Sequence, residues 1–205
     1  MAQYDLKNTH LSFLEEDCAA QFGADKGPEI YAQTQQRYAD LCEHADYKDN
    51  DAIKTHLTKN LFPTLSYYQT LREQGFAQEE ALTHVRKETY RAASARKEEQ
   101  SKTGKMPCAY LMYRLFIKAF MKKGFPEAGW DTEWVRCDGK EIHFDLTRCI
   151  YKDTCDSMGC PELCAVFCEN DDIVFSGLMP KIRFERSGTL GKGADHCDFH
   201  FINNK

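Results

Sequence analysis

Residues 141–151 read Glu141-Ile142-His143-Phe144-Asp145-Leu146-Thr147-Arg148-Cys149-Ile150-Tyr151, and their period of two separates them from everything before. Alternation places Ile142, Phe144, Leu146 and Ile150 on one face and His143, Asp145, Thr147, Cys149 and Tyr151 on the other. This predicts a half-buried strand with Cys149 and Tyr151 on its polar side. Two more strands are expected at 181–190 and 196–202, joined by a hairpin turn at Gly191-Lys192-Gly193-Ala194. In the last of them Cys197, Phe199 and Phe201 share a face, opposite His196, Asp198 and His200.

Upstream of Gly129 the period is helical instead. Asp25-Lys26-Gly27-Pro28 breaks an opening helix, and Pro28 suits the start of the next. Apolar residues at Ile53, Leu57, Leu61, Leu65, Tyr68 and Leu71 predict an amphipathic helix or pair, with Pro63 as kink or boundary. A helix is expected over 78–100, whose Arg86, Lys87, Arg91, Arg96 and Lys97 read as a solvated face tempered by glutamates. Ser101-Lys102-Thr103-Gly104 reads as a linker, and 108–123 as the most apolar, central helix, stopped by Gly124. The expected fold is α+β: a helical N-terminal layer, residues 1–104, packed on a small, mostly antiparallel sheet with a cysteine-bearing helix, residues 105–205.

Composition limits the function. The 205 residues carry a net charge of −5, with acids outnumbering bases before residue 106 (17 to 14) and after it (15 to 13), so no basic footprint for nucleic acid exists. The longest apolar run, near 109–121, is interrupted by Arg114 and Lys118 and is too short to span a bilayer. The first residues have neither a basic start nor an apolar core, so no secretion signal is read there. Ten cysteines without such a signal argue for a reducing, cytoplasmic setting. Nothing in the composition decides for or against a homo-oligomer.

Six of those cysteines fall after residue 148. Pro161 marks a helix start, and Cys160, Cys164 and Cys168 then recur every four residues on one stripe. Cys160, Cys164 and Cys168, with Cys155 or Cys197 as a fourth ligand, could bind zinc, but of the close pairs such sites use only the C-x4-C of Cys155 and Cys160 is present, so zinc is the minority reading, with no cofactor firmly implied. Cys160 and Cys164 read as packing residues, and Cys197, beside Phe199 and Phe201, reads as core. Cys168-Glu169-Asn170-Asp171-Asp172 joins a thiol to a carboxylate, although a thiol at the C-terminal end of a helix would have its pKa raised. Cys168 as nucleophile and Asp171 as general base for water both stay open. Arg186 shares parity with Ile182 and Phe184, so on a buried face it needs a ligand or a carboxylate partner such as Asp171.

From Asp145 onward, DLTRCIY, GCPELCAVFCENDD, LMPKIRFERSGTL and GKGADHCDFHF resemble the L-2-amino-thiazoline-4-carboxylic acid hydrolase family. The resemblance rests on Cys149 with Tyr151, Gly159, Glu162, Cys168 with Asp171, Pro180, Phe184 with Arg186, Thr189, Gly193 and Cys197-Asp198-Phe199. It implies a bacterial cytoplasmic hydrolase acting on a small cyclic amidine or thiazoline acid, opening its C=N function with water to give N-carbamoyl-cysteine. Cys168, Asp171 and Cys149 would then be catalytic, and Arg186, Tyr151, Thr189 and Asp198 would bind substrate. The ending GKGADHCDF is also similar to 4-vinyl reductase domains, which implies the alternative of a small-molecule, metal or redox-sensing module. Arg186 and Thr189 stand where that family's zinc ligands would be, so only Cys197 of that site is retained and a zinc site there would be rearranged around Cys149, Cys168 and Cys197.

Overall fold

The computed structural model describes residues 4–204. The chain forms two compact units, Met1–Ala92 and Ala93–Lys205.

The first unit is helical. Helix α1, Leu14–His44, is two helical segments joined at Gly23, whose φ of 83° no ordinary side chain adopts cheaply. The break therefore falls at Gly23, ahead of the expected 25–28, and Pro28 sits within the second segment. Asn50 caps α2, Asp51–His56, accepting from Ala52 N at 2.9 Å and Ile53 N at 3.1 Å, which satisfies two otherwise orphaned donors. A π-helical turn, Leu57–Leu61, leads into α3, Phe62–Glu73, where Pro63 occupies the first turn and lacks no needed N–H. Helix α4, Gln78–Gly104, begins in this unit and ends in the other. Leu14, Ile30, Leu61, Leu65, Leu71 and Val85 are fully buried and form the apolar interior.

In the second unit the predicted linker at 101–104 is helical, the end of α4. A Cβ on Gly104 would strike the Leu178 backbone, and one on Gly177 would strike Lys97 O. Glycine at both places lets the last turns of α4 lie against the 177–178 segment, and that contact keeps 101–104 helical. Helix α5, Ala109–Gly124, follows. It is not the central helix expected: Ala109, Tyr110, Ile117 and Met121 are buried, whereas Leu115, Phe116 and Phe120 are 58–60% exposed. Apolar content alone did not reveal which side was covered.

The sheet is antiparallel with order β1-β2-β4-β3, where β1 is Trp130–Cys137, β2 Glu141–Cys149, β3 Ile182–Glu185 and β4 Cys197–Asn203. Ile142, Phe144 and Leu146 on β2 stand opposite Phe201, Phe199 and Cys197 on β4 and make the apolar face. Tyr113 of α5 meets Phe201 at 5.3 Å between ring centroids. Helix α6 is Ile150–Ser157, and α7, Cys164–Ser176, presents Phe175 to Phe184 at 4.9 Å and Phe201 at 5.1 Å. Two expected strand residues, Ile150 and Tyr151, belong to α6 instead. No helix among the described residues is long and apolar enough to cross a membrane.

Candidate active site

A slip in the ladder positions the first site residue. Asp131 pairs with Arg148 but the next residue, Thr132, pairs with Leu146, so Thr147 is an extra residue in β2. Such a bulge reverses the alternation beyond it. Strict alternation put Cys149 on the polar face; past the bulge it turns toward the side of Leu146 and Cys197. The charges of Cys168 and Asp171 accordingly act on Cys149. The protein packed around this thiol pushes its pKa up to about 12, against the pull of the Tyr151 and Lys152 N–H groups at the start of α6. Cys149 is therefore a neutral thiol at ordinary pH. Tyr151 packs edge-on to Phe167 at 4.9 Å, and burial pushes its hydroxyl pKa up.

The second correction concerns Cys168. A 3-10 turn, Pro161–Leu163, precedes α7, which continues to Ser176, so Cys168 is an interior helical residue and not a C-terminal one. The unfavourable helix-end field assumed for it is absent, because that effect decays within a turn. Instead, the thiols of Cys164 and Cys197 and the Thr189 hydroxyl, which has no hydrogen-bond partner of its own, act on its sulfur as donors. These donors, joined by the charge of Arg186, outweigh burial and hold the Cys168 pKa well below the usual thiol range. Cys164 and Cys197 are pushed the other way: bonds to Cys155 and Cys168 raise Cys164, and the bond to Cys168 raises Cys197. The proton shortage is thus concentrated on one sulfur. Cys164, read from sequence as packing, is one of its main donors.

Arg186 extends the apolar parity of β3, as its sequence position predicted. Its guanidinium lies 5.6 Å from the Phe184 ring and 5.4 Å from Phe199, and its side chain is only 6% exposed. Its Nε meets Asp172 Oδ1 at 2.8 Å, Nη1 is 3.6 Å from Asp171 Oδ2, and Nη2 donates to the Cys168 carbonyl. Nη1 is buried with no hydrogen-bond partner. Two effects compete at Asp171: burial pushes its carboxyl up and Arg186 pulls it down, and the balance lies at about 7. The side chain is 44% exposed, so solvent reaches this carboxyl. Arg96, in the part of α4 that belongs to this unit, adds a second positive charge acting on Asp171 and Tyr151. Sequence reading left Arg96 on a solvated face, since nothing local marks its distant neighbours.

The expected strand 181–190 is cut at Glu185. Beyond it, Ser187 N, Ser187 Oγ and Gly188 N donate to the Asp198 carboxylate at 2.8–3.0 Å and do not continue the ladder. Burial opposes charge on Asp198, but these bonds win and lower its pKa. Asp198 therefore holds the loop, and its oxygens are occupied. The expected hairpin turn is a 3-10 turn, Leu190–Lys192, ended by Gly193 at φ 87°. Gly191 lies against the thiol helix: a Cβ there would come 2.9 Å from Cys168 Sγ and 3.0 Å from Ala165 N.

A groove of about 1020 Å³ runs past this loop, lined by Asp172, Arg186, Thr189, Lys192, Asp198 and His200 among others. Arg186 and Thr189 line the groove and also adjoin Cys168, so they connect open space to the thiolate. Of the residues expected at the site, Cys149, Tyr151, Cys168, Asp171, Arg186, Thr189 and Cys197 are brought together. Asp198 also lines the groove, but its carboxylate is taken up by the bonds from Ser187 and Gly188. Among the described residues, no three His, Cys, Asp or Glu side chains form a set that could hold a metal ion, so the zinc reading through Cys149, Cys168 and Cys197 has no ligand set there.

No curated protein and no solved structure matches the chain. A family match does cover residues 54–201, well over half of the sequence and all of the cluster just described. The chain belongs to the L-2-amino-thiazoline-4-carboxylic acid hydrolase family.

Proposed function

We propose that this protein is a hydrolase that opens a small cyclic amidine acid of the 2-aminothiazoline-4-carboxylate type, with Cys168 as nucleophile. The observation that carries this reading is the convergence of the Cys164 and Cys197 thiols, the Thr189 hydroxyl and the Arg186 charge on the Cys168 sulfur. A thiolate held in this way attacks the amidine carbon, and the ring nitrogen takes a proton. The ring C–S bond then breaks, releasing the substrate's own thiol and leaving the carbon on Cys168. Water adds to that carbon, and Cys168 leaves as a thiolate, for which a depressed pKa is an advantage. The product is N-carbamoyl-cysteine. Both C–N bonds at that carbon survive, so the bond finally lost is C–S, although the C=N function is where nucleophiles enter.

Asp171 suits the proton transfers, since a carboxyl near pH 7 can both accept and return a proton. Arg186 is already committed to Asp171 and Asp172, which makes it the organiser of the acid pair and leaves only Nη1 for a substrate. Lys192, which lines the groove half-exposed and only 3.7 Å from Glu169, is the better charge for a substrate carboxylate. The test is turnover of 2-aminothiazoline-4-carboxylate, followed by release of free thiol. Cys168→Ser should lose at least about a thousandfold in kcat, and Asp171→Asn should lose roughly a hundredfold and flatten the pH profile near 7. Unchanged turnover in both variants removes these roles, and no turnover by the unaltered protein removes the substrate class.

A further inference from the structure

We propose that Cys168 and Cys197 form a peroxide-reactive thiol pair that closes to a reversible disulfide and so switches the site off. This inference shares the Cys168 thiolate with the proposed function but does not require that thiazolines be turned over.

The geometry begins at the 3-10 turn. Leu190 N donates to Cys197 Sγ at 3.2 Å, and the adjacent Gly191 lies so near Cys168 Sγ that a Cβ would come within 2.9 Å of it. The two sulfurs therefore flank consecutive residues of one turn, one carried by β4 and the other by α7. Cys168 is also the largest influence on the Cys197 pKa, as expected of neighbouring sulfurs. Cys164 is a neighbour too, but it sits one helical turn from Cys168 on the same rigid helix and is hydrogen-bonded to Cys155 as well. Strand and helix can approach each other by small shifts of the turn between them; two positions one turn apart on a helix cannot. The Arg186 Nη1, buried without a hydrogen-bond partner at the groove, is a donor available to the oxygen that leaves.

The chemistry balances with a hydroperoxide as oxidant. The Cys168 thiolate attacks one peroxide oxygen, the O–O bond breaks, and with hydrogen peroxide the products are a Cys168 sulfenic acid and hydroxide. Sulfur is oxidised by two electrons and the peroxide is reduced. The Cys197 thiol then attacks the sulfenic sulfur, an S–S bond forms, the S–O bond breaks, and the thiol proton leaves in water. Reduction by a small thiol restores both groups.

The test is peptide mapping of the intact protein, without reduction, after exposure to limiting hydrogen peroxide. The expected result is a crosslinked pair of peptides containing Cys168 and Cys197, formed roughly tenfold faster than oxidation of the exposed Cys108 and reversed by dithiothreitol. Cys197→Ser should instead leave a Cys168 sulfenic acid that dimedone traps. A Cys168–Cys164 crosslink, or Cys168 still unmodified once Cys108 is oxidised, overturns the pair. Crosslinking in a protein that turns over no thiazoline supports the pair and overturns only the proposed function, because the readout is chemical and independent of activity.

Discussion

Cys18 in the first unit and Cys168 in the second are both buried thiols on helices, at 0% and 8% exposure. Cys18 is surrounded by acids. Burial first, then the charges of Glu88 and Asp17, push its pKa up to about 12, and the pull of the neighbouring Tyr67 hydroxyl is too weak a counterweight. Cys168 is surrounded by donors and has Arg186 beside it, and its pKa falls. The same side chain, similarly hidden, has its pKa raised in one place and lowered in the other. Burial sets only the desolvation penalty; the sign of the result comes from the neighbours' protons and charges.

The acids around Cys18 carry the same contrast. Glu88 is fully buried, accepts from Gln21 Nε2 at 2.6 Å and has an unpartnered Oε2. Burial first, then the neighbouring Asp17, raises its pKa to about 7. Asp171 is raised as far but remains open to solvent and has a guanidinium partner. One acid is enclosed in a helical interior, and the other is open to solvent beside a guanidinium.

The largest test of this contrast is Arg186→Met. It removes the one strong charge that separates the Cys168 environment from that of Cys18. Alkylation of Cys168 by iodoacetamide at pH 6 should slow about tenfold and turnover should fall about a hundredfold, while Arg186→Lys should recover part of the alkylation rate. If Arg186→Met leaves the alkylation rate unchanged, the thiol donors alone set the pKa and the comparison must be redrawn around Cys164 and Thr189.

A smaller effect is expected at Glu88. Its folded pKa lies above its ordinary value of 4.5, so the stability it contributes is fully present below about pH 4.5 and is lost as pH rises through about 7. Glu88→Gln should remove that slope, a difference on the order of 2 kcal/mol between pH 5 and pH 8. Denaturant unfolding of both proteins at the two pH values checks it, and parallel pH profiles would mean that Glu88 is ionised in the folded chain.

Gly191→Ala should give the smallest change. Its Cβ must displace the Cys168 sulfur or the start of α7, a cost of about 1–2 kcal/mol that thermal unfolding would record as a lower Tm. The same displacement should raise the pH at which Cys168 becomes alkylated. A stable variant with unaltered alkylation would show that the turn yields without disturbing the thiol.

Much of the second unit was legible in the sequence. Alternation in Ile142, Phe144, Leu146 and in Cys197, Phe199, Phe201 identified the apolar faces of two strands, and parity put Arg186 on the buried side in need of a carboxylate. Other elements were less legible. The 101–104 segment looks like a linker because serine, threonine and glycine are weak helix formers, and only its docking on residues 177–178 keeps it helical. The end of α7 was missed because Ile173, Val174 and Phe175 suit a strand as well as a helix.

By itself, then, the sequence determined the two periodicities, the acidic charge balance and the need of Arg186 for a partner, because each depends on residues a few positions apart or on composition. Tertiary structure decided which thiol has its pKa lowered. A single extra residue, Thr147, turned Cys149 toward the cluster, and Cys197 and Thr189, 29 and 21 residues downstream, join Cys164 and Arg186 in pulling the Cys168 pKa down. A bulge has no fixed local signature, and a proton's preference among several sulfurs depends on separations that exist only once strands and helix have packed.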